Sequence, residues 1–161
     1  MEIIAFSSDY TEQVISMIVN IQQKEFDLPI TADDQPDLSR IPAFYQKGKG
    51  NFWIALMGKE VVGTLSLLDI DNSRVALRKM FVHPDYRGTK QGTATKLLEE
   101  AIAWAEARAV REILLGTTPK FKAAHRFYEK NGFIEIPEEE LPDSFPIMKV
   151  DTKFYSRQIT S

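Results

Sequence analysis

Residues Val75–Val82 are rich in apolar side chains on both faces, and a short basic loop with two glycines carries them directly into the strongest helical period of the chain. A strand apolar on both faces belongs in the middle of a sheet. The period that follows, Ala94, Leu97, Leu98, Ala101, Ile102 and Ala105, leaves Glu99, Glu100, Ala103 and Glu106 off its stripe. Such a helix packs one face against a sheet. With the short apolar run Ile113–Thr117 after it, the unit is a β-α-β crossover, and the rest of the chain must arrange itself around that unit.

The flanking segments read as further strands and helices. Residues 2–6 predict a first strand. Asp9 and Glu12 suggest a capping box for a helix with Val14, Ile15, Ile18 and Ile21 on its apolar face. A polar loop spans Leu28–Pro36, and a short second helix, interrupted by Pro42, covers Asp37–Gln46 with Leu38, Ile41 and Tyr45 on one side. Strands Phe52–Leu56 and Val61–Ile70 flank the turn Met57–Glu60, a hairpin pattern. Ala123–Lys130 predicts a helix with Ala124, Phe127 and Tyr128 inward, stopped at Asn131–Gly132. Phe133–Ile136 and Met148–Tyr155 complete the strands, the latter alternating as an outer strand does. The order β-α-α-β-β-β-α-β-α-β-β predicts an α+β sandwich of one sheet with helices packed on it. At 161 residues and 43% hydrophobic content, a single domain over 1–161 is expected.

Composition narrows the function classes. A net charge of −3 argues against nucleic acid as the main partner, since phosphate contacts need a clustered cationic surface. The absence of cysteine removes disulfides and thiolate chemistry. The N-terminal residues Met1–Asp9 lack the pattern of a secretory leader, and no apolar run approaches a membrane span. A cytoplasmic protein without a membrane partner is expected. His83 and His125 are isolated and have no acidic cluster beside them, so no metal is expected.

The chemistry is concentrated in Lys79–Glu99. After the strand, Arg87-Gly88-Thr89-Lys90-Gln91-Gly92 enters the helix at Thr93. Glycines let a backbone approach a ligand closely. The first turn of a helix offers unpaired N–H groups and partial positive charge. Together with Arg87 and Lys90 they predict an anion, a diphosphate, over Gly88–Thr93. Neither the dinucleotide fingerprint nor the P-loop spacing is present.

Val82-His83-Pro84-Asp85-Tyr86-Arg87-Gly88, followed by Gly92-Thr93-Ala94, resembles the acetyl-CoA signature R/Q-x-x-G-x-G/A of the GNAT N-acetyltransferase family. Arg87 matches its first position and Gly92 its last, while Lys90 replaces the middle glycine. His125-Arg126-Phe127-Tyr128-Glu129-Lys130-Asn131-Gly132-Phe133 resembles the family's FYxxxGF ending, with Phe121 where the family often has Asn. The resemblance implies a three-layer α/β/α sandwich with a mixed, mostly antiparallel sheet splayed between strands 75–82 and 113–117. It implies acetyl-CoA as co-substrate, wedged into that splay, and an amine acceptor attacking directly in a ternary complex. The backbone of Met80 and Val82 would pair with pantetheine, and the amide near Met80 or Phe81 would polarise the thioester carbonyl. The amides of Gly88, Thr89, Lys90, Gln91, Gly92 and Thr93 would hold the pyrophosphate. Tyr128 matches the family's general acid, and Glu25 is a candidate base because its region covers the acceptor site in the family. Tyr45, Trp53 and Phe145–Met148 are expected in core and loop packing first, with a pocket for the amine's apolar body near the acceptor face as the second expectation. The competing expectation is a non-catalytic acyl-CoA binding or sensing module. A homodimer is the expected assembly.

Overall fold

A computed structural model describes residues 1–159; Thr160 and Ser161, the end of the expected domain, lie outside the described residues. Seven strands form one sheet in the order β1-β2-β3-β4-β5-β7-β6. The strands are β1 Glu2–Ala5, β2 Asn51–Met57, β3 Glu60–Asp69, β4 Arg74–Val82, β5 Glu112–Thr117, β6 Ile134–Ile136 and β7 Lys153–Gln158. All neighbours pair antiparallel except β4 and β5, which are parallel. Helix α3, Thr93–Ala107, is the crossover between them, while α1 (Thr11–Asn20), α2 (Ile41–Phe44) and α4 (Lys122–Lys130) complete the helices. The sheet is therefore the mixed, mostly antiparallel one expected, with helices on both faces.

Strand parity divides the core. Phe52, Ile54 and Leu56 face α1 and α2, where they meet Val14, Ile18, Leu38, Ile41 and Tyr45. Trp53 and Ala55 face α3 instead, among Leu97, Leu98, Ala101 and Ala105. Trp53 is thus a core residue, as its packing expectation has it. It packs edge-on against Trp104 at 5.7 Å, on the opposite face from Phe52 and Ile54, because residues one apart on a strand point to opposite faces. Gly63 on β3 lets α3 lie close. A Cβ there would meet Thr93 Cγ2 at 3.0 Å and Leu97 Cδ1 at 3.1 Å.

Three local readings change. The first helix is entered through a 3₁₀ turn, Ser8–Tyr10, capped by Ser7 accepting from the Asp9 N–H, rather than by an Asp9 capping box. It then widens into a π-turn at Ile21–Glu25 before the chain leaves it. The last strand is neither outer nor at Met148–Tyr155. It begins at Lys153 and lies between β5 and β6. Phe154, Tyr155 and Ser156 are all buried there, as an interior strand requires, whereas Met148 is exposed.

The decisive irregularity lies between β4 and β5. They pair only at Arg74↔Glu112, Val75↔Ile113 and Ala76↔Leu114. Beyond Ala76 the strands part, with β4 held by β3 and β5 by β7.

Leu97 is fully buried between α3 and the sheet. Leu97→Ala is expected to lower the unfolding free energy by about 2–5 kcal/mol, through lost burial and the cavity left behind. A urea denaturation curve measures it, and a change below about 1 kcal/mol would contradict this packing.

Candidate active site

A cavity of about 700 Å³ fills the space where β4 and β5 separate. Its walls come from β4 (Leu77–Val82), the loop into α3, the end of β5 at Gly116 and Thr117, and α4. Along this stretch β4 has no strand partner on the β5 side, so its backbone polar groups face the cavity and need partners there.

At one end of the cavity stands the start of α3. Gly92 is its N-cap in the left-handed region, φ 65°, and no side chain caps the helix. Gly88, also at positive φ, has nothing within 4 Å of where a Cβ would sit. Gly88, Thr89, Gly92, Ala94 and Thr95 line the cavity beside Arg87. Uncapped first-turn N–H groups, an open glycine backbone and a guanidinium fit a pyrophosphate. Lys90 and Gln91 lie outside this lining, with Lys90 exposed. Thr93 is buried, and its hydroxyl donates to the Tyr86 carbonyl at 2.9 Å.

Arg87 is already engaged from two sides. Its Nε donates to the Val82 carbonyl at 2.8 Å. Its Nη1 and Nη2 form a bidentate pair with the Glu25 carboxylate, the Nη2–Oε2 contact being 2.8 Å. The π-turn at the end of α1 carries Glu25 to this position. Glu25 thus sits on Arg87 and lines a neighbouring groove rather than the cavity that contains Tyr128.

Tyr128 projects from α4 into the cavity wall with 6% of its surface exposed. Among the described residues its hydroxyl has no hydrogen-bond partner, and no buried side-chain polar atom is left unpartnered, so Oη opens into the cavity. Burial pushes its phenol well above the ordinary range, with Tyr155 and Asp151 adding to the effect. It remains protonated across the whole working pH range. Phe121, at the Asn position of the family pattern, packs edge-on against Phe26 (4.6 Å) and Phe81 (6.2 Å). The three rings span the gap between the π-turn, β4 and the loop before α4.

The opposite end of the cavity holds residues that the sequence reading did not single out as functional. Relative to β3, β4 carries an extra residue between Arg78 and Phe81, and Lys79 there has φ 54°. The Thr64 and Ser66 hydroxyls take up the carbonyls of Lys79 and Arg78, both at 2.7 Å. The Lys79 ammonium donates to Gln35 Oε1 at 2.5 Å and lies 3.6 Å from the Asp37 carboxylate. Asp37 also accepts from the Tyr45 hydroxyl at 2.6 Å, and Gln35 is tied to Gln22. Burial pushes Lys79 down to about 8, with Asp37 opposing the shift. Two adjacent cations in an otherwise apolar central strand were the available signal. Tyr45 is thus buried in this cluster, while Phe145 packs against Phe154 and Ile147 stays exposed.

Both histidines are held by contacts to nearby backbone. His83 Nδ1 accepts from the Asp85 N–H at 3.1 Å, and His125 Nε2 lies 3.0 Å from the Thr118 carbonyl oxygen. Among the described residues no three metal-ligating side chains converge, and no helix is long and apolar enough to cross a membrane.

The fold agrees with that of the chain's relatives. Residues 15–133 match the Acetyltransferase (GNAT) family. A crystal structure of a GNAT-family acetyltransferase from Staphylococcus aureus Mu50 is 41% identical, covers 99% of each chain and superposes with a TM-score of 0.95. The chain belongs to the GNAT acetyltransferase family. N-acetylaspartate synthetase of Danio rerio is 36% identical over 106 residues, which are 65% of this chain and 37% of that protein. The chain thus spans well under half of that relative. A PaiA N-acetyltransferase from Thermoplasma acidophilum, solved in complex with coenzyme A, shares the fold at 16% identity, with a TM-score of 0.70 over 98% of each chain.

Lys79 gives the fold a pH signature. Its value is about 8 when folded, against 10.5 for a free lysine. Between these values the unfolded chain binds the extra proton, so this group makes stability rise with pH across that window. Urea midpoints from pH 7.5 to 10.5 are expected to show a smaller upward slope for Lys79→Met than for wild type. Identical slopes would mean that Lys79 is solvated.

Proposed function

We propose that the protein is an acetyl-CoA-dependent N-acetyltransferase, with its single domain spanning 1–161, which moves an acetyl group to a primary amine by direct attack in a ternary complex. The observation that carries this reading is the continuous cavity running from the uncapped start of α3 to the Tyr128 hydroxyl, along a β4 edge with no strand partner. Acetyl-CoA, when bound, supplies an acetyl group activated on a thioester sulfur.

The chain's own residues divide the work along that cavity. The amides at Gly88–Thr93 and the Arg87 guanidinium hold the pyrophosphate, assisted by the helix N-terminus. The open edge of β4, at Met80, Phe81 and Val82, takes up the pantetheine amides as a further strand would. The Val82 carbonyl is shared with Arg87 Nε, so this edge and the cradle are coupled. A backbone N–H at Met80 or Phe81 polarises the carbonyl under attack, a contact that strengthens as charge develops on oxygen. Tyr128 holds its proton at Oη and donates it towards the departing sulfur, where negative charge appears only in the transition state. Glu25 enters through Arg87: its bidentate pair fixes the guanidinium beside the cradle.

A catalytic enzyme is favoured over a binding module by Tyr128. A hydroxyl that opens from an aromatic cluster into the cavity, without a protein partner, is a poor structural feature and a useful proton donor.

Two measurements test this reading. Tyr128→Phe keeps the ring packing and is expected to lower kcat and kcat/KM together, by roughly 10²–10⁴-fold. Calorimetric affinity for coenzyme A should stay close to wild type. A Phe variant that turns over normally, with chemistry rate-limiting, removes the acid role. Gly92→Val forces a β-branched residue into the left-handed region at the cradle and is expected to weaken coenzyme A binding by about tenfold or more. Unchanged affinity would place the pyrophosphate elsewhere.

A further inference from the structure

The charged residues lining the cavity are Arg78, Lys79, Arg87, Lys120, Lys122 and Lys130, with no aspartate or glutamate among the described residues of its lining. This occurs in a chain whose formal charge is −3. The cations do not form one group. Arg87 stands at the start of α3. Arg78 and Lys79 lie on β4, three to four residues before its end at Val82. An extended strand advances about 3.3 Å per residue, so roughly 10–13 Å of strand, and then the loop, separate the two groups. One pyrophosphate cannot satisfy both.

At the inner end the two cations differ. Lys79 is compensated by Asp37 and Gln35. Arg78 makes no ion pair among the described residues. Its guanidinium lies against the rings of Phe44 and Tyr45, at 5.7 and 5.8 Å, and touches Met148 Sδ at 3.5 Å. Asp151, whose field reaches both cations, is turned onto the Met148 N–H at 3.1 Å. The rings lie beside the guanidinium, and among the described residues its side-chain polar contact is the weak Nη2–H donation to Met148 Sδ, so its remaining N–H donors are without a carboxylate partner and suit bidentate capture of one.

We propose that the acceptor is an amine carrying a carboxylate, an amino acid class of substrate, and that Arg78 holds the carboxylate so that the amine faces the thioester end of the cavity. This rests on the transferase reading above. It adds a specificity residue and excludes polyamines and other purely cationic acceptors, which Arg78 and Lys79 repel.

The experiment compares glycine, L-aspartate and L-glutamate with their methyl esters and with spermidine, following thiol release from acetyl-CoA. Esterification lowers the amine's basicity and raises its free-base fraction, so a bias towards the acids runs against intrinsic reactivity. At least one free acid is expected to exceed its ester in kcat/KM by roughly ten- to hundredfold, the range for a hydrogen bond to a charged group. Arg78→Met should collapse that ratio. Arg78→Lys, which keeps the charge without the fork, should restore part of it. If the Met variant does not fold, the wild-type ratio and the Lys variant still decide. Calorimetry of the same acids with the coenzyme A-loaded protein separates the two claims. Acids that bind but are not acetylated would uphold the carboxylate site and overturn the transferase reading. Amines acetylated with no preference for acids, or with a preference that survives Arg78→Met, would overturn the carboxylate site and leave the transferase reading standing. Neither binding nor turnover with any of them would overturn both.

Discussion

The three-residue register between β4 and β5 is the constraint on which the rest of this structure depends. Each strand has a full partner on its outer side. β3 pairs with β4 from Val75 to Val82, and β7 pairs with β5 from Glu112 to Thr117. Their mutual pairing is therefore dispensable beyond Ala76, and the two can diverge without leaving both edges of either strand open. A strand edge inside a domain is a row of donors and acceptors that must find partners. A ligand able to act as a strand, with amides at suitable intervals, would supply them. The crossover α3 starts where β4 ends, so its uncapped N-terminus points into the same gap. Tyr128 closes the gap from α4. The cradle, the open edge and the hydroxyl are consequences of one parting of strands.

Charge is distributed along that gap in a way that the net value conceals. Acidic residues slightly outnumber basic ones in the chain as a whole, yet among the described residues the charged side chains lining the cavity are all cations. Walls of low dielectric focus such a field and draw anionic ligands inward. The outer cation, Arg87, is held by Glu25 and by the Val82 carbonyl, which fix its guanidinium beside the start of α3. The inner lysine is held by Asp37. In both cases a carboxylate outside the cavity lining fixes a cation inside it, so the ion pairs position the cations while leaving their field directed at the cleft.

Much of this was legible in the sequence because it is local. The two-faced apolar strand, the glycine loop and the long helical stripe are contiguous, and each is fixed by periodicity or by backbone freedom. What was not legible depends on tertiary placement. Met148–Tyr155 alternates as an outer strand does, but its first half is pulled into a turn in which the Asp151 N–H donates to the Met148 carbonyl and Asp151 Oδ2 accepts from the Met148 N–H. Only the second half enters the sheet, between two partners. Which helix layer Trp53 joins is decided by how β2 docks, and its parity sends Trp53 to α3. Glu25 reaches Arg87 only because the helix widens at Ile21–Glu25, and periodicity cannot foresee a π-turn.

The least legible feature is also the most consequential for specificity. In a regular strand Arg78 and Lys79 would point to opposite faces of the sheet. The extra residue in β4, with Lys79 in the left-handed region, places both side chains on the α2 side, Arg78 over Phe44 and Tyr45 and Lys79 against Asp37. A non-glycine residue in that region costs about 1–2 kcal/mol. The Thr64 and Ser66 hydroxyls offset that cost by taking the two carbonyls that the bulge turns away from the regular ladder. A bulge that is held by β3 side chains and that gathers two cations at the end of a cleft re-aims side chains rather than merely interrupting pairing. Its position matters as much as its existence. Three residues earlier it would reach Ala76, the last β4 residue paired with β5, and disturb the root of the splay. Nearer Val82 it would deliver the charges towards the end at which α3 starts. Set between Arg78 and Phe81, it leaves the root intact and carries charge to the end of the cavity that the cradle does not use.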